Sequence, residues 1–196
     1  MNIFRLYIEY YSDFCYTIEK RTFERKDHMA TFMEISPYQI DDNTFEMIGR
    51  DWALVTSGSP ESFNTMTISW GGTGVLWNVP VAFTFIRPQR HTFSFTESNE
   101  FCSLCFFDDA YRKALSYCGS HSGRYVDKVK ETGLTPAFTE NGVPYFEEAR
   151  LVLICKKLYA QDLNEASVIE PSVKSCYNGD DYHRMYVSEI VKVLKR

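Results

Sequence analysis

The chain has 196 residues, of which 44% are hydrophobic and 16% aromatic, and its formal net charge is −5. This length fits a single domain, and the acidic balance argues against nucleic-acid binding, which depends on neutralising phosphates with Lys and Arg. No apolar run reaches the roughly 20 residues that span a bilayer, and the charged first residues lack the apolar stretch of a signal peptide. We therefore expect a cytoplasmic protein without membrane contact.

Residues 1–28 mix aromatic and charged side chains without a regular pattern. They form an atypical N-terminal extension of a domain predicted over residues 29–196, or they are translated sequence upstream of a natural start at Met29. We slightly favour the second interpretation, which mass spectrometry of the native protein would decide.

Beyond Met29, alternating or continuous apolar residues predict short strands, with Gly71 and Gly72 ending the second of them. The predicted strands cover residues 52–56, 63–70, 79–87, 101–107, 151–155 and 185–194. Cap residues and apolar spacing predict helices over residues 37–50, 92–99, 108–119 and 123–132. Several strands with a few short helices indicate an α+β fold or a mainly β protein, a β-barrel with peripheral helices.

Six cysteines occur in a chain with no secretion signal, and we expect them to be free thiols. Cys102 and Cys105 form a CxxC motif, but it lies in a predicted strand. Strand residues three apart point to opposite faces, so this pair cannot close a disulfide or chelate one metal. Cys118 and His121 form a single CxxH motif without a second pair, which is a still weaker indication of a metal site. No metal site is predicted.

The glycines around Gly72 and Gly74 suggest a nucleotide loop, but their spacing does not fit one. Trp77 follows where the dinucleotide-binding motif needs a glycine, and no Lys-Ser/Thr pair completes a phosphate loop. These glycines are better explained by tight backbone turns or by close approach to a flat group.

The predicted strand at 63–70 places three hydroxyls, from Thr65, Thr67 and Ser69, on one face. Such a face is as often turned to solvent as to a ligand. Shortly after it come two guanidiniums, Arg87 and Arg90, and a helix start, a combination typical of phosphate binding. Together with nearby tryptophans, these groups suit a phosphorylated aromatic ring system.

Five stretches resemble the flavin-reductase-like, flavoredoxin-type family, and they occur in the order expected for it. They are NTMTISWGGTGVLW at 64–77, RPQRHT at 87–92, SGRYVDK at 122–128, ETGLTP at 131–136 and DYHRMY at 181–186. The resemblance implies an FMN-binding split β-barrel that forms a homodimer, with FMN near the subunit interface.

The resemblance also implies roles for individual residues. The strand 64–69 would bond the pyrimidine and N5 side of the flavin, and Arg90 with Thr92 would hold its phosphate. Three residues, Ser122, Arg124 and Lys128, would close the site or, equally, be ordinary surface groups. His183 is expected to be structural rather than a proton donor. The complete set of FMN-binding candidates is Asn64, Thr65, Met66, Thr67, Ile68, Ser69, Trp70, Trp77, Arg87, Arg90, Thr92, Ser122, Arg124 and Lys128.

The function implied by this resemblance is an NAD(P)H-dependent flavin reductase, in which hydride passes from nicotinamide C4 to flavin N5. No side chain needs to act as the catalytic acid or nucleophile, because the flavin accepts the hydride. The alternative is a flavoredoxin-like FMN electron carrier that exchanges electrons with a redox protein partner. A third possibility is a barrel that has lost its flavin and serves as a binding module.

Overall fold

The computed structural model describes residues 31–177 and 179–196. The extension predicted over residues 1–28, Cys15 and the proposed start at Met29 lie outside the described residues. Within them, no helix is both long enough and apolar enough to cross a membrane.

A large antiparallel sheet dominates the described part of the chain and confirms the mainly β prediction. Its strands follow the order β3-β2-β6-β9-β10-β5-β4, and β1 adds to β10, while β7 and β8 pair separately. The strands are β1 Met33–Ile35, β2 Ala53–Gly58, β3 Phe63–Ile68, β4 Gly71–Leu76, β5 Val79–Ile86, β6 Phe101–Phe106, β7 Pro136–Phe138, β8 Pro144–Phe146, β9 Leu151–Asp162 and β10 Arg184–Lys195.

The two ends of this strand order, β3 and β4, are joined in the chain by only Ser69 and Trp70. Three residue steps span at most about 11 Å, so the sheet must curl until its first and last strands meet at this corner. The result is a barrel that remains split along the rest of the β3 edge, and the candidate functional site lies at that split.

Two apolar clusters lie on the two faces of the sheet. The inner cluster fills the barrel with side chains from six strands, including Cys102 and Cys155. The outer cluster packs helices and the β7–β8 hairpin against the other face and includes Cys105. Cys102 and Cys105 therefore point to opposite faces, as predicted, and the five described cysteines are free thiols.

Four α-helices are described: α1 Thr44–Gly49, α2 His91–Ser98, α3 Arg112–Ser120 and α4 Lys128–Thr132. The single helix predicted over 37–50 is wrong. A 3-10 turn at Pro37–Gln39 precedes α1, because the Asn43 side chain caps the Phe45 N–H and begins a new helix. Gly119 lies inside α3, whose C-cap is His121.

Other boundaries also differ from those predicted. The helix expected over 123–132 begins only at Lys128, where Asp127 caps it, although it ends at Thr132, before Gly133, as predicted. Gly71 and Gly72 start β4 instead of ending β3; the positive φ of Gly71 and its closeness to the Phe83 carbonyl require glycine there. Strand β9 runs to Asp162, beyond the apolar segment that predicted it.

Candidate functional site

A cleft of about 440 Å³ opens where β3 ends, between that strand, helix α3 and the turn before α2; we call it the main cleft. Its volume falls within the range of about 300–1,000 Å³ found for small-molecule sites. The residues that line it are Trp52, Met66, Thr67, Ile68, Ser69, Trp70, Phe85, Arg87, Arg90, Leu115, Ser116, Gly119, Ser120 and His183. Seven of the predicted site residues thus meet in one place: Met66, Thr67, Ile68, Ser69, Trp70, Arg87 and Arg90.

The β3 edge supplies backbone groups to the main cleft. Strand β3 pairs with β2 on one side, and no strand of the described residues pairs with its other side. The Thr65 carbonyl accepts a hydrogen bond from Lys128 at this open edge. Because inward and outward residues alternate in an antiparallel ladder, Thr67 also directs its N–H and C=O to the open edge. The main cleft therefore offers a donor and an acceptor from the backbone of one strand.

Arg90 places a half-buried guanidinium at the N-cap of α2. It donates from Nη2 to the Gly119 carbonyl over 2.6 Å, and no carboxylate of the described residues forms an ion pair with it. Burial, and then the nearby Arg87, lower the pKa of this guanidinium. A poorly solvated cation beside a helix N-terminus favours an anionic ligand.

Arg87 also lines the main cleft, but protein groups occupy its guanidinium. It pairs with the Asp181 carboxylate, donates to the Cys176 carbonyl over 2.8 Å and lies 5.3 Å from the Tyr177 ring centre. These contacts hold the segment before β10 against the cleft. Arg90 is therefore better placed than Arg87 to receive a phosphate.

Other predicted residues lie together beside a second cleft of about 410 Å³, which includes Asn64, Thr65 and Lys128 in its lining. Asn64 donates from Nδ2 to the buried Thr92 hydroxyl over 2.7 Å. The Thr65 hydroxyl accepts from Thr56 and donates to a backbone carbonyl. The alternative that the hydroxyl face simply meets solvent is wrong for Thr65, which is buried.

Lys128 is not a surface charge: only 6% of the residue is exposed. Its ammonium donates to the Thr65 carbonyl over 2.8 Å and to the Cys118 carbonyl over 2.7 Å. Desolvation is the main cause that lowers its pKa to about 8. Lys128 thus ties the open edge of β3 to the C-terminal end of α3, where helix carbonyls favour a cation.

Ser122 and Arg124 lie in the loop before α4, outside the lining of both clefts. The exposed Arg124 donates from Nη1 to the Gln89 carbonyl over 3.1 Å, next to Arg90 in the chain. The Ser122 hydroxyl accepts from the Arg124 backbone N–H. Both positions remain consistent with ordinary surface groups near the site.

The flavin reductase like domain matches residues 45–194, about three quarters of the chain. The chain belongs to the flavin reductase-like family. A search of curated protein sequences finds no significant match.

Solved structures of flavin-binding proteins share the fold of this family member. The FMN-binding protein of Thermus thermophilus with bound 1-cyclohex-2-enone is 22% identical, with a TM-score of 0.58 over 82% of this chain and 74% of that one. The flavoredoxin of Methanosarcina acetivorans is 21% identical, with a TM-score of 0.58 over 83% and 76%. An FMN-binding domain of flavin reductase-like enzymes from Shewanella baltica OS155 is 15% identical, with a TM-score of 0.61 over 84% and 76%.

The two tryptophans that the family resemblance suggested as flavin contacts lie in different surroundings. Trp70 is on the rim of the main cleft, 45% exposed, with its ring 5.0 Å from the His183 ring. Trp77 lies outside the main cleft, in the two-residue turn between β4 and β5, where it meets Tyr159 with ring centres 6.1 Å apart. Of the two, Trp70 is the one that a ligand in the main cleft would meet.

His183 lines the main cleft as a neutral side chain. Its Nδ1 lies 3.2 Å from the Tyr177 hydroxyl, and the residue is buried. Burial, and then the Arg87 charge, lower its pKa to about 4. A histidine that is neutral at pH 7 is a poor proton donor, and the structural role of His183 stays a prediction.

The lowered pKa of His183 predicts that acid destabilises the fold through this residue. Between its ordinary pKa of 6.5 and about 4, the unfolded chain binds a proton that the folded one does not. Stability is therefore complete above pH 6.5 and falls as pH decreases through this window. Urea unfolding measures the free energy of unfolding at about pH 7 and at about pH 5. Between these two pH values, His183→Phe should lose roughly 1 kcal/mol less of this free energy than the parent protein, after allowance for partial solvent screening. The exposed His121→Phe is the control for the loss of a histidine, and equal losses of unfolding free energy in His183→Phe and in the parent protein would contradict the assignment.

Nothing in the sequence indicated that several other residues line the main cleft. Leu115, Ser116, Gly119 and Ser120 belong to a helix that only tertiary packing brings to β3. Trp52 was predicted to begin a strand, but it precedes β2 with a φ of +66°, a conformation that bulky residues rarely adopt.

Proposed function

We propose that this protein binds FMN in the main cleft and uses it to accept hydride from NAD(P)H. The observation that carries the proposal is Arg90, a half-buried cation at a helix N-terminus that no described carboxylate neutralises. The main cleft adjoins it and has room for a small molecule. A dianionic phosphate at Arg90 would supply the missing counter-charge.

The chain's own groups suit the remainder of FMN. The backbone N–H and C=O of Thr67 at the open β3 edge would bond the acceptor and donor atoms of a pyrimidine ring. Ile68 and Phe85 would exclude water beside the ring, and Trp70 would pack on it at the rim. When bound, FMN supplies a ring that takes up a hydride at N5.

The protein's contribution to hydride transfer would be orientation. Reacting groups held at the correct distance and angle avoid much of the entropic cost of the encounter. The neutral His183 gives the cleft no obvious acid, and none is required by a hydride acceptor. We therefore assign no catalytic side chain.

The test is anaerobic mixing of the FMN-loaded protein with NADH and, separately, with NADPH. The proposal expects at least one nucleotide to bleach the visible flavin absorbance within seconds and to give the oxidised nucleotide in equal amount. If neither bleaches a protein that binds FMN, the reductase proposal is wrong.

The second candidate is an FMN electron carrier without its own NAD(P)H activity. It is supported by the fold shared with flavoredoxins from Methanosarcina acetivorans and Desulfovibrio vulgaris (Miyazaki F). Such a carrier would be reduced by a redox protein partner and not by either nicotinamide. A protein that stays colourless after incubation with FMN would instead favour the binding-module alternative.

We also propose that the domain of residues 29–196 forms a homodimer. Two exposed aromatic side chains that contact each other support this proposal: Trp77 and Tyr159 are each more than 40% exposed, and their ring centres lie 6.1 Å apart. Contiguous apolar surface of this kind often marks a protein interface. Sedimentation equilibrium should give twice the chain mass, and a monomer at all concentrations would exclude the dimer.

A further inference from the structure

We propose that Trp52 and Arg112 together form a cationic aromatic wall of the main cleft, against which the flavin ring packs. Arg112 would act through Trp52 as a positioning residue that favours the reduced flavin over the oxidised one. This inference rests on the proposed function.

Trp52 is held in place by more than ordinary packing. It lines the main cleft, and its φ of +66° is unfavourable for a bulky side chain outside a hairpin turn. Backbone strain of this kind persists only where surrounding contacts enforce it, and it is concentrated at functional sites. Because Trp52 lines the main cleft, we expect its strained backbone to position the indole for a ligand.

The surrounding contact is Arg112, the first residue of α3. Its guanidinium carbon lies 3.4 Å from the Trp52 ring centre, and Nη1 donates to the carbonyls of Arg50 and Asp51. The guanidinium covers one face of the indole, so the rest of the ring is what meets the cleft. No ion pair to Arg112 occurs within the described part of the chain, so no carboxylate contacts its guanidinium directly.

The dimensions of α3 place this wall where a flavin ring would lie. Arg90 bonds the carbonyl of Gly119 near one end of the helix, and Arg112 is at the other end. Seven residues of α-helix measure about 10 Å. A phosphate at Arg90 therefore leaves a ribityl-length gap before the aromatic ring reaches Trp52.

The positive charge of Arg112 would affect the two redox states of the flavin differently. Reduction by two electrons and one proton adds a net negative charge to the ring. A guanidinium behind the indole attracts that charge across a partly desolvated cleft, whereas it has little effect on the neutral oxidised ring. Arg112 should therefore raise the affinity for reduced FMN more than that for oxidised FMN.

The experiment compares Arg112→Gln with Arg50→Gln. Arg112→Gln keeps an amide donor for the two loop carbonyls but removes the positive charge. Arg50→Gln is the matched control, because it removes a nearby cation whose side chain is 80% exposed. Titration with oxidised and photoreduced FMN should show that Arg112→Gln lowers the reduced-to-oxidised affinity ratio about tenfold, which equals about 30 mV in the two-electron midpoint potential. Arg50→Gln should leave the ratio unchanged.

An equal ratio in the parent protein and in Arg112→Gln, with FMN still bound, would overturn the inference and leave the proposed function intact. Failure of the parent protein itself to bind FMN would instead refute the function. If circular dichroism shows Arg112→Gln to be unfolded, Trp52→Leu gives the test. This variant should weaken the binding of oxidised FMN about threefold to tenfold, the usual contribution of one aromatic stack. Unchanged affinity would overturn the proposal that Trp52 contacts the flavin.

Discussion

Replacing Arg90 with Ala should weaken FMN binding roughly 10- to 100-fold, the loss expected for a hydrogen bond between charged groups. Arg90 is half-buried, its guanidinium donates to the neutral Gly119 carbonyl, and the main cleft opens beside it. Because the guanidinium is already partly desolvated, a phosphate placed there gains attraction at a smaller further cost. Isothermal titration with FMN measures the effect.

Riboflavin provides the control for this prediction, because it lacks the phosphate and keeps the ring. Arg90→Ala should bind riboflavin as the parent protein does, and the variant saturated with FMN should turn over at nearly the parent rate. An equal loss for FMN and riboflavin would mean that Arg90 acts on the fold or the ring and not on a phosphate.

Lys128→Met should destabilise the fold by about 2 kcal/mol, because two carbonyls lose a charged donor in a buried place. These carbonyls, of Thr65 and Cys118, join the open edge of β3 to α3. The variant also removes the cost of burying an ammonium whose pKa has fallen to about 8, so the net loss is smaller than two full hydrogen bonds. A melting temperature about 4–8 °C lower is expected for a domain of this size.

The matched control is Lys130→Met, two residues along the same helix and exposed. It should melt close to the parent protein. Equal melting temperatures for Lys128→Met and Lys130→Met would show that the two carbonyl bonds contribute little, and the burial of Lys128 would then need another explanation.

Local patterns in the sequence predicted much of the sheet, and the family motifs predicted part of the main cleft. The alternation in β3 correctly separated Met66 and Ile68, which face the barrel, from the hydroxyl residues. The opposite faces of Cys102 and Cys105 follow from the same period of two. These features depend on neighbours in the chain, which is why sequence reasoning reached them.

Other features depend on residues distant in the chain and could not be predicted in this way. Arg87 looked like a phosphate ligand, but Asp181, from the segment before β10, pairs with it. For Lys128 the sequence left two interpretations open, a residue that closes the site or a surface charge, and only the packing of α3 against β3 shows that it is buried. The role of Trp52 in the cleft likewise depends on Arg112, from the start of a helix much later in the chain.

The central claim is that FMN occupies the main cleft with its phosphate at Arg90, and a crystal structure of the protein grown with FMN tests it most directly. We predict a phosphate oxygen within hydrogen-bond distance of the Arg90 guanidinium and a flavin ring bonded to the open edge of β3 at Thr67. Electron density for FMN elsewhere, or a main cleft filled by its own side chains, would contradict the claim.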